Sequence, residues 1–477
     1  MPEPRLAEWF SHWVGFPAIY RLGWRRPAVR RQFNRLLREK LASQYWPLER
    51  QQAQQLARVQ ALLAHAGAHV PFYRDLFRRL GFDPRDMRSL ADLQALPLVD
   101  RHLIQAEGRR MLAENLAPAE VRTAVTSGTT GSPFQYAFDP GYYVHNEAAA
   151  WVSDLAAGRR MGSRTVYIWG APYNQTNYRG WRGLSRRWLR NEFHFDSHVL
   201  WDTRLRDYHA RLQQLSPAVL VGFASSITHL ARYLERQGIR PGYPRAAVIP
   251  SGEVLEPDMR ATLERVFQVP VFNRLGSTEV GLMAYECRQH AGLHLNMPNL
   301  VVEWGSPDPR EQPAELVITQ LWNYAMPMIR YQIGDRAQVL PPGPPCPCGR
   351  TSPLLQRVAG RAAATFVTAH GKLIEGYYVI NPVALLPGVI DFQVVQETLQ
   401  ELRLRLVTGP EFVPASLAKL HERVENLMGP GTHMTVEQVD AIPRHPSGKA
   451  QIALSWVTVA RDGAPGRFPP AGQAPIE

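Results

Sequence analysis

Apolar residues recur at helical spacing along the first hundred residues of the chain. The segments RQFNRLLREKLASQ and LERQQAQQLARVQALLAHA both follow this period and contain no internal proline. Such a pattern predicts amphipathic helices, because residues three and four apart share one face of a helix. The segment LADLQALPLVDRHLI is the last of this helical part. A glycine-rich, polar stretch, VTSGTTGSPF from Val125 to Phe134, follows it.

From about Arg164 the apolar residues fall into short β-branched or aromatic runs, several of them closed by glycine or serine. The runs are RTVYIWG, AVLVGF, AAVIPSG, VPVFNRLG, LVVEWG and AELVIT. Helix-like stretches, SITHLARYLERQG and PDMRATLERVF, lie between them. Strands that alternate with helices predict an α/β fold with at least partly parallel sheets.

The pattern restarts beyond the segment RVAGR. Strand-like runs surround one helix-like segment, PASLAKLHERVENLMG, which predicts a small C-terminal α+β domain. The pattern therefore predicts a large N-terminal α/β part, with β-sheets flanked by helices, followed by this small domain. The last segment, RDGAPGRFPPAGQAPIE, is rich in proline and glycine, which predicts a disordered tail.

The chain of 477 residues has a formal net charge of +12, from 54 basic and 42 acidic residues. This excess favours anionic partners, but no nucleic-acid recognition motif accompanies it, so we expect no nucleic-acid binding. Arginines concentrate on the first predicted helices, which is typical of a solvated face or one that touches a membrane surface. No apolar run reaches the length of a membrane span and no signal peptide is evident, so we expect a cytoplasmic protein.

The stretch from Val125 to Phe134 combines two glycines with several hydroxyl side chains. Successive backbone N–H groups in a glycine-rich turn can bind an anion. Gly128 and Gly131 are too close together for a P-loop, and Ser132 stands where a lysine would be expected. Alone, the stretch fits a linker loop as well as a phosphate site.

Five further motifs follow in order: PSGEVLEP, NRLGSTEVG, IRYQIGDRA, RVAGR and HPSGKAQ. Together with the glycine-rich stretch, this ordered set resembles the adenylate-forming superfamily of acyl-CoA synthetases, peptide-synthetase adenylation domains and luciferases. The segments AHVPFYRDLF, RYQIGD and CPCGR are most similar to the phenylacetate–CoA ligase branch, including its capsule-biosynthesis (CapK-like) relatives. The resemblance spans roughly residues 60 to 455.

The resemblance implies a role for each motif residue. The nucleotide-binding residues would be Thr126, Ser127, Gly128, Thr129, Thr130, Gly131, Ser251, Gly252, Glu253, Gly276, Ser277, Thr278, Asp335 and Arg357. Among these, Thr126 to Gly131 would bind the β- and γ-phosphates of ATP, Asp335 the ribose hydroxyls, and Arg357 the ribose or a phosphate. Glu279 would hold Mg²⁺. Lys449 would reach the α-phosphate and offset charge that develops in the transition state.

The resemblance also implies the reaction and the organisation, a large multi-subdomain N-terminal domain with β-sheets flanked by helices and a small C-terminal α+β domain. The helical part would span 1–115, the nucleotide- and acyl-binding part 116–361, the small domain 362–460 and the disordered tail 461–477. A small-molecule carboxylic acid would attack ATP to give an acyl-adenylate and pyrophosphate, and CoA would then displace AMP. Acylation of an amine or amino sugar for envelope polysaccharide, and a catalytically weak nucleotide-binding scaffold, stay open as alternatives. Peripheral contact with the inner face of the membrane and a homodimer also stay open.

Some positions depart from the family pattern. Leu275, preceded by Arg274, stands where many members have an aromatic residue that stacks on adenine. Ala362 to Ala364 occupy the region in which relatives place a hinge aspartate. The missing acid does not forbid domain rotation, but it weakens the expectation that CoA is the acceptor.

Cys287, Cys346 and Cys348 are the only cysteines in the chain. His290 and His294 follow Cys287 closely, so three thiols and one imidazole would supply the four soft ligands of a structural zinc ion. We expect His294 rather than His290 to be the fourth ligand, because His294 lies on the predicted strand GLHLN. Three unrelated buried thiols are the alternative.

Overall fold

The computed structural model describes residues 27–126, 134–169, 190–197, 202–305, 308–341, 344–361, 365–368, 373–375, 379–380, 382–383, 386–442, 452–459 and 465–467. These residues form two compact units, the larger one ending at Val358 and the smaller one beginning at Ala359. No helix in the described ranges is long and apolar enough to cross a membrane. The mixed architecture confirms the predicted α/β fold class. The domain boundaries proposed from the sequence stay a prediction.

The larger unit begins with helices and later alternates helices with strands. The α-helices of the whole unit are α1 (Pro27–Ser43), α2 (Leu48–His69), α3 (Pro71–Leu80), α4 (Arg101–Glu107), α5 (Pro140–Ala156), α6 (Asp202–Leu215), α7 (Ala224–Arg236) and α8 (Pro257–Phe267). Short 3₁₀ turns lie at Pro84–Asp86, Leu90–Ala95, Gly108–Met111 and Pro118–Glu120. Helix α3 shows why the boundaries fall where they do: Pro71 opens it, and Gly81, with φ of 61°, ends it in the left-handed conformation.

A seven-stranded sheet forms the centre of the larger unit. In chain order its strands are β7 (Arg274–Ser277), β8 (Gly281–Glu286), β9 (Leu293–Leu295), β10 (Leu300–Trp304), β11 (Ala314–Gln320), β12 (Tyr331–Val339) and β13 (Leu354–Arg361). Their spatial order is β10-β11-β12-β13-β9-β8-β7. Helices α2 and α3 pack their apolar faces onto this sheet in one continuous core that includes Val59, Leu62, Ile318 and Met328.

A second, four-stranded sheet is parallel. Its strands are β3 (Thr165–Trp169), β4 (Glu192–Asp196), β5 (Val219–Gly222) and β6 (Ala247–Pro250), in the spatial order β4-β3-β5-β6. Helices α6, α7 and α8 pack on it and share its core through Leu212, Leu230 and Leu263. The parallel pairing is the arrangement that alternating strands and helices predict. The run VPVFNRLG is strand only from Arg274 onward, with Val271 bridging Val248 before it.

A hairpin carries the glycine-rich stretch. Strands β1 (Arg122–Thr126) and β2 (Phe134–Phe138) pair antiparallel, and the innermost pair of the register is Thr126 with Phe134. The segment 127–133 that connects them lies outside the described residues.

The smaller unit contains helix α9 (Ser416–Met428) and the strands β14 (Thr365–Val367), β15 (Leu373–Glu375), β16 (Val389–Gln396), β17 (Glu401–Thr408), β18 (His433–Gln438), β19 (Ala453–Ser455), β20 (Val457–Val459) and β21 (Pro465–Arg467). Its main sheet has the order β18-β17-β16-β19, and α9 shares a core with it. Strand β21, which pairs with β20, lies inside the segment for which the sequence predicts a disordered tail. The other residues of that segment are outside the described ranges.

Candidate functional site

Several predicted nucleotide-site residues fall outside the described part of the chain. These are Ser127, Gly128, Thr129, Thr130, Gly131 and Lys449. The backbone of Thr126 closes strand β1 opposite Phe134, so the described ends of the glycine-rich segment meet at a defined register. The alanines at the predicted hinge, Ala362 to Ala364, are also outside the described ranges.

Gly276, Ser277, Thr278 and Glu279 lie at the end of β7 and in the turn that leads to β8. The turn is closed by the pairing of Ser277 with Gly281 and by a hydrogen bond from the Val280 N–H to Ser277 Oγ, 3.2 Å long. Glu279 is buried, with 4% of its surface exposed. An acid at this depth needs a compensating partner or cation, because burial without one is costly.

Two tyrosine hydroxyls bind the same turn. Tyr136 of β2 donates to the carbonyl oxygen of Thr278 at 2.7 Å, and Tyr142 of α5 donates to that of Glu279 at 2.7 Å. Sequence analysis missed both residues. The available signal was weak: an aromatic alternation in β2 and a tyrosine in the first turn of a helix are both ordinary core patterns.

The segment Ser251–Glu253 runs beside β7. Ser251 forms a parallel bridge with Arg274, and its N–H donates to the Gly222 carbonyl at 2.8 Å. The Glu253 carboxylate accepts the Ser225 N–H at 2.8 Å, so it binds the positive N-terminus of α7. Gly252 has φ of 79°, which favours glycine.

Aromatic side chains close the carboxyl ends of β3 and β5. Trp169 and Phe223 stack with ring centroids 4.3 Å apart and planes 22° from parallel. A Cβ on Gly252 would lie 3.1 Å from the Phe223 ring, so glycine lets this segment lie against the pair. Ligands of open α/β sheets bind at this edge, outside the carboxyl ends of the strands.

Asp335 and Arg357 lie on neighbouring strands of the seven-stranded sheet, β12 and β13. Asp335 is 8% exposed and Arg357 is half-buried. The seven-stranded sheet thus carries three predicted site residues. Glu279, the predicted Mg²⁺ ligand, follows β7, whereas Asp335 and Arg357, the predicted ribose and phosphate contacts, lie on β12 and β13. Leu275, at the position of the family aromatic, packs against the main core.

The three cysteines and His294 form a second cluster. Their ligand atoms all lie within 4.8 Å of one another. The Cys287 and Cys346 sulfurs are 3.7 Å apart, and Cys348 Sγ is 3.4 Å from His294 Nε2. His290 is not a member, because its Nδ1 instead lies 3.3 Å from the Glu286 carboxylate.

The surroundings of this cluster suit tetrahedral zinc. The other ring nitrogen of His294, Nδ1, lies 3.3 Å from Ser352 Oγ, the kind of outer contact that orients a ligating imidazole. Burial lowers the pKa of His294 to about 4, so the ring is neutral near pH 7. Three sulfurs and one imidazole nitrogen are a common ligand set of structural zinc.

Backbone N–H groups also contact two of the sulfurs. The N–H groups of Gln289 and Arg350 point at Cys287 Sγ and Cys348 Sγ, at 3.4 and 3.5 Å. Burial raises the pKa of the Cys287 thiol to about 12. Although burial opposes ionisation of Cys348, the backbone N–H and side chain of Arg350 lower its pKa. A cation would favour the thiolates that these N–H groups can stabilise.

Comparison with known proteins adds a family to this geometry. The sequence model of the CapK C-terminal domain matches residues 366–455. Protein CapK of Staphylococcus aureus is 24% identical over 253 residues, which cover 53% of this chain and 56% of CapK. The match therefore spans little more than half the length of that protein. Phenylacetate–coenzyme A ligase of Escherichia coli (strain K12) is 25% identical over 435 residues, covering 84% of this chain and 93% of the ligase.

The fold matches that of a solved ligase. A crystal structure of 2-hydroxyisobutyryl-CoA ligase, in the postadenylation state with R3-HIB-AMP, superposes with a TM-score of 0.69 at 20% identity. The superposition covers 88% of this chain and 92% of the ligase chain. These likenesses agree with the six ordered sequence motifs. Together they support the adenylate-forming superfamily, in the branch that contains CapK and the phenylacetate–CoA ligases, as the family that this chain resembles.

Proposed function

We propose that this protein is an AMP-forming carboxylate ligase, which activates a small carboxylic acid with ATP and transfers the acyl group to CoA. The observation that carries the proposal is the buried acid Glu279, held in a turn beside the Ser251–Glu253 segment and next to the glycine-rich hairpin. The relatives named as phenylacetate–CoA ligases and the fold of a CoA ligase support it.

In the first step, a carboxylate oxygen forms a bond to the α-phosphorus of ATP while the bond from that phosphorus to pyrophosphate breaks. The glycine-rich segment would bind the β- and γ-phosphates, Asp335 the ribose, and Arg357 the ribose or a phosphate. Lys449 would offset negative charge on the reacting phosphate. Glu279 would hold Mg²⁺, which neutralises phosphate charge when it is bound.

In the second step, the CoA thiolate attacks the acyl carbon and AMP leaves. An amine acceptor, giving an amide, is the second candidate, and the likeness to CapK favours keeping it. The Trp169–Phe223 pair at the carboxyl edge of the parallel sheet is a candidate wall for the acyl group.

Acid-dependent exchange of labelled pyrophosphate into ATP tests the first step. A panel of aryl, fatty and hydroxy acids would be assayed with the wild type, Lys449→Ala and Lys419→Ala. Lys419 is an exposed lysine on α9 of the smaller unit and serves as the matched control. We expect exchange in the wild type and in the control, and its collapse in Lys449→Ala. Tight ATP binding without exchange by any acid would favour the scaffold alternative.

The acceptor is identified by the product. With the acid that supports exchange, addition of CoA would give a thioester and release AMP in equal amounts. Turnover with amino sugars but not with CoA would reassign the protein as an amide ligase. Because CoA and an amine would both react with the same acyl-adenylate, either product leaves the conclusion about the first step unchanged.

The Cys287, His294, Cys346 and Cys348 cluster would hold a structural zinc ion. Its role would be to join the Cys346–Cys348 loop, which precedes β13, to the segment that leads from β8 to β9. The protein contributes the four ligands, the Ser352 contact to His294 and two backbone N–H groups. Four protein ligands leave no open position, which is typical of structural rather than catalytic zinc.

The protein would act in the cytoplasm. Its helix α1 would bind anionic lipid at the membrane surface. Arg31, Arg35 and Arg38 lie along the exposed face of this helix. Its apolar residues Phe33 and Leu37 are buried in the core shared with α5. The contact would therefore depend on charge rather than on insertion of the helix.

A further inference from the structure

The stretch from strand β2 to the first turn of helix α5 contacts the Glu279 turn directly. Tyr136, the third residue of β2, is 5% exposed and donates its hydroxyl proton to the Thr278 carbonyl at 2.7 Å. Tyr142, in the first turn of α5, is 3% exposed and donates to the Glu279 carbonyl at 2.7 Å. Two consecutive peptide carbonyls of the turn are thus bound from one short stretch of sequence.

That stretch is itself anchored at several points. The Asp139 carboxylate caps α5 by accepting the Tyr142 N–H at 3.0 Å and also accepts the Tyr324 N–H at 2.8 Å. The Asn323 side chain donates to the Ala137 carbonyl at 2.9 Å. These hydrogen bonds hold the backbone on which the two tyrosines lie, independently of the contacts that their hydroxyls make with the turn.

A third contact comes from the next turn of the same helix. The Asn146 side chain occupies the space beside Gly281, where a Cβ would overlap it. Gly281 has φ of 87°, so the backbone conformation also favours glycine. Helix α5 therefore contacts the turn at two points, through Tyr142 at Glu279 and through Asn146 at Gly281.

We propose that Tyr136 and Tyr142 are positioning residues that hold the turn carrying Glu279, the acid that would bind Mg²⁺. Tyr136 binds the Thr278 carbonyl, and Tyr142 binds the Glu279 carbonyl and also lies 3.3 Å from that of Thr278. The two tyrosines together therefore fix the direction in which the Glu279 side chain leaves the backbone. This inference rests on the proposed function.

The role depends on the hydroxyl donors of the two tyrosines and not only on their rings. A backbone carbonyl accepts a hydrogen bond but cannot donate one, so the donor cannot be replaced by a carboxylate or by the ring alone. Phenylalanine keeps the ring packing and removes only the donor.

The test compares Tyr136→Phe, Tyr142→Phe and their combination with Tyr73→Phe. Tyr73 is a matched control, because it is 1% exposed and its hydroxyl donates to a backbone carbonyl, that of Pro327, away from the turn. The readouts are the Mg²⁺ concentration that gives half-maximal acid-dependent exchange, calorimetric binding of ATP with and without Mg²⁺, and the melting temperature.

We expect each turn variant to need about five to ten times more Mg²⁺ than the wild type, the effect of one lost hydrogen bond on a bound conformation. The control should keep the wild-type Mg²⁺ dependence while losing similar thermal stability. Gly281→Ala, which forces Asn146 aside, should give the same Mg²⁺ signature, because the Asn146 side chain contacts both Gly281 and the Tyr142 hydroxyl. An unchanged Mg²⁺ requirement in both tyrosine variants would overturn the inference.

The outcomes separate this inference from the proposed function. A wild type that exchanges pyrophosphate, with tyrosine variants that behave like Tyr73→Phe, contradicts the positioning role alone. A wild type with neither exchange nor Mg²⁺-dependent ATP binding removes the proposed function, and the positioning role with it.

Discussion

Asp154 and Arg274 form a buried ion pair, with Oδ1 of the aspartate 3.1 Å from the guanidinium, that joins helix α5 to strand β7. The other carboxylate oxygen lies 2.6 Å from Arg159, which in turn is 2.9 Å from Glu192 on β4. One carboxylate therefore serves two arginines. The pair gives the arginine that stands two residues before Gly276 a structural role.

We expect Asp154→Asn to destabilise the protein by about 3–5 kcal/mol, because it leaves two arginines beside a single remaining acid in a dry site. Denaturant unfolding would measure the change. Glu235→Gln, which breaks an exposed pair with Arg265, is the control and should cost less than about 1 kcal/mol. Equal costs for the two variants would mean that the buried network does not stabilise the fold.

The purified protein should contain close to one zinc ion per chain, the number that four protein ligands define. His294→Ala and Cys346→Ser should lose the metal, whereas His290→Ala should retain it, since His290 contacts Glu286 instead. Metal analysis of the four proteins decides this. Removal of zinc by a chelator should lower the melting temperature of the wild type, because metal binding is coupled to folding.

The zinc prediction has a clear contrary result. A wild type with less than about half an equivalent of metal, purified without chelators, would leave the cluster as three buried thiols and an imidazole. Equal metal content in His290→Ala and His294→Ala would show that the fourth ligand is wrongly assigned.

Lys40 should make stability depend on pH in the alkaline range. Burial lowers its pKa from 10.5 to about 7; neighbouring Glu39 raises it and Arg58 lowers it. The ammonium group binds Asn299 and faces the Trp322 ring, and nearby His145 has a lowered pKa because of burial. Between pH 7 and 10.5 the unfolded chain binds a proton that the folded chain lacks, so stability attributable to Lys40 rises with pH.

Comparison with Lys40→Met isolates this effect. The unfolding free energy of the wild type, relative to that of the variant, should rise from pH 7 to 9.5 by at most about 1.4 kcal/mol per pH unit. Lys419→Met, at an exposed site, should give a curve parallel to that of the wild type. Parallel curves for Lys40→Met as well would mean that Lys40 keeps an ordinary pKa in the folded protein.

Helix α1 should bind anionic vesicles through its exposed arginines. Replacement of Arg31, Arg35 and Arg38 by glutamine should weaken binding to phosphatidylglycerol vesicles on the order of a hundredfold, from about 1 kcal/mol per basic residue. The control replaces Arg236, Arg240 and Arg245, three exposed arginines elsewhere, and changes the net charge equally. Equal losses in both triple variants would assign the binding to net charge, and no binding at all would remove the membrane contact.

The order of the motifs was sufficient to predict the fold class and the family, because six motifs in one fixed order are far more specific than any one of them. The cysteine cluster was also predicted, since its ligand types are rare in this chain and their chemistry is restrictive. What the sequence could not predict depends on distant packing. In the sequence, Tyr136 and Tyr142 look like ordinary core aromatics. Only the fold shows that their hydroxyls contact the turn at Glu279, which lies about 140 residues later in the chain.

Lys40 illustrates the same limit in another way. On a helix rich in arginine it is predicted to be one more solvated cation, yet it is 4% exposed and bonded to Asn299, some 260 residues away in sequence. A helical period shows which residues share a face, but not what covers that face. Strand β21 escaped prediction because three residues next to glycine and proline carry almost no local signal.

The sheet of the smaller unit has a consequence for synthesis of the chain. Its hairpin, β16 and β17, is covered on each edge by a parallel strand that comes later, β18 on one side and β19 on the other. Until Ser455 has left the ribosome, the β16 edge presents unpaired N–H and C=O groups, which are a template for pairing with other chains. A nascent or truncated chain that stops after α9 has both edges open, and is the form of this protein most prone to aggregate.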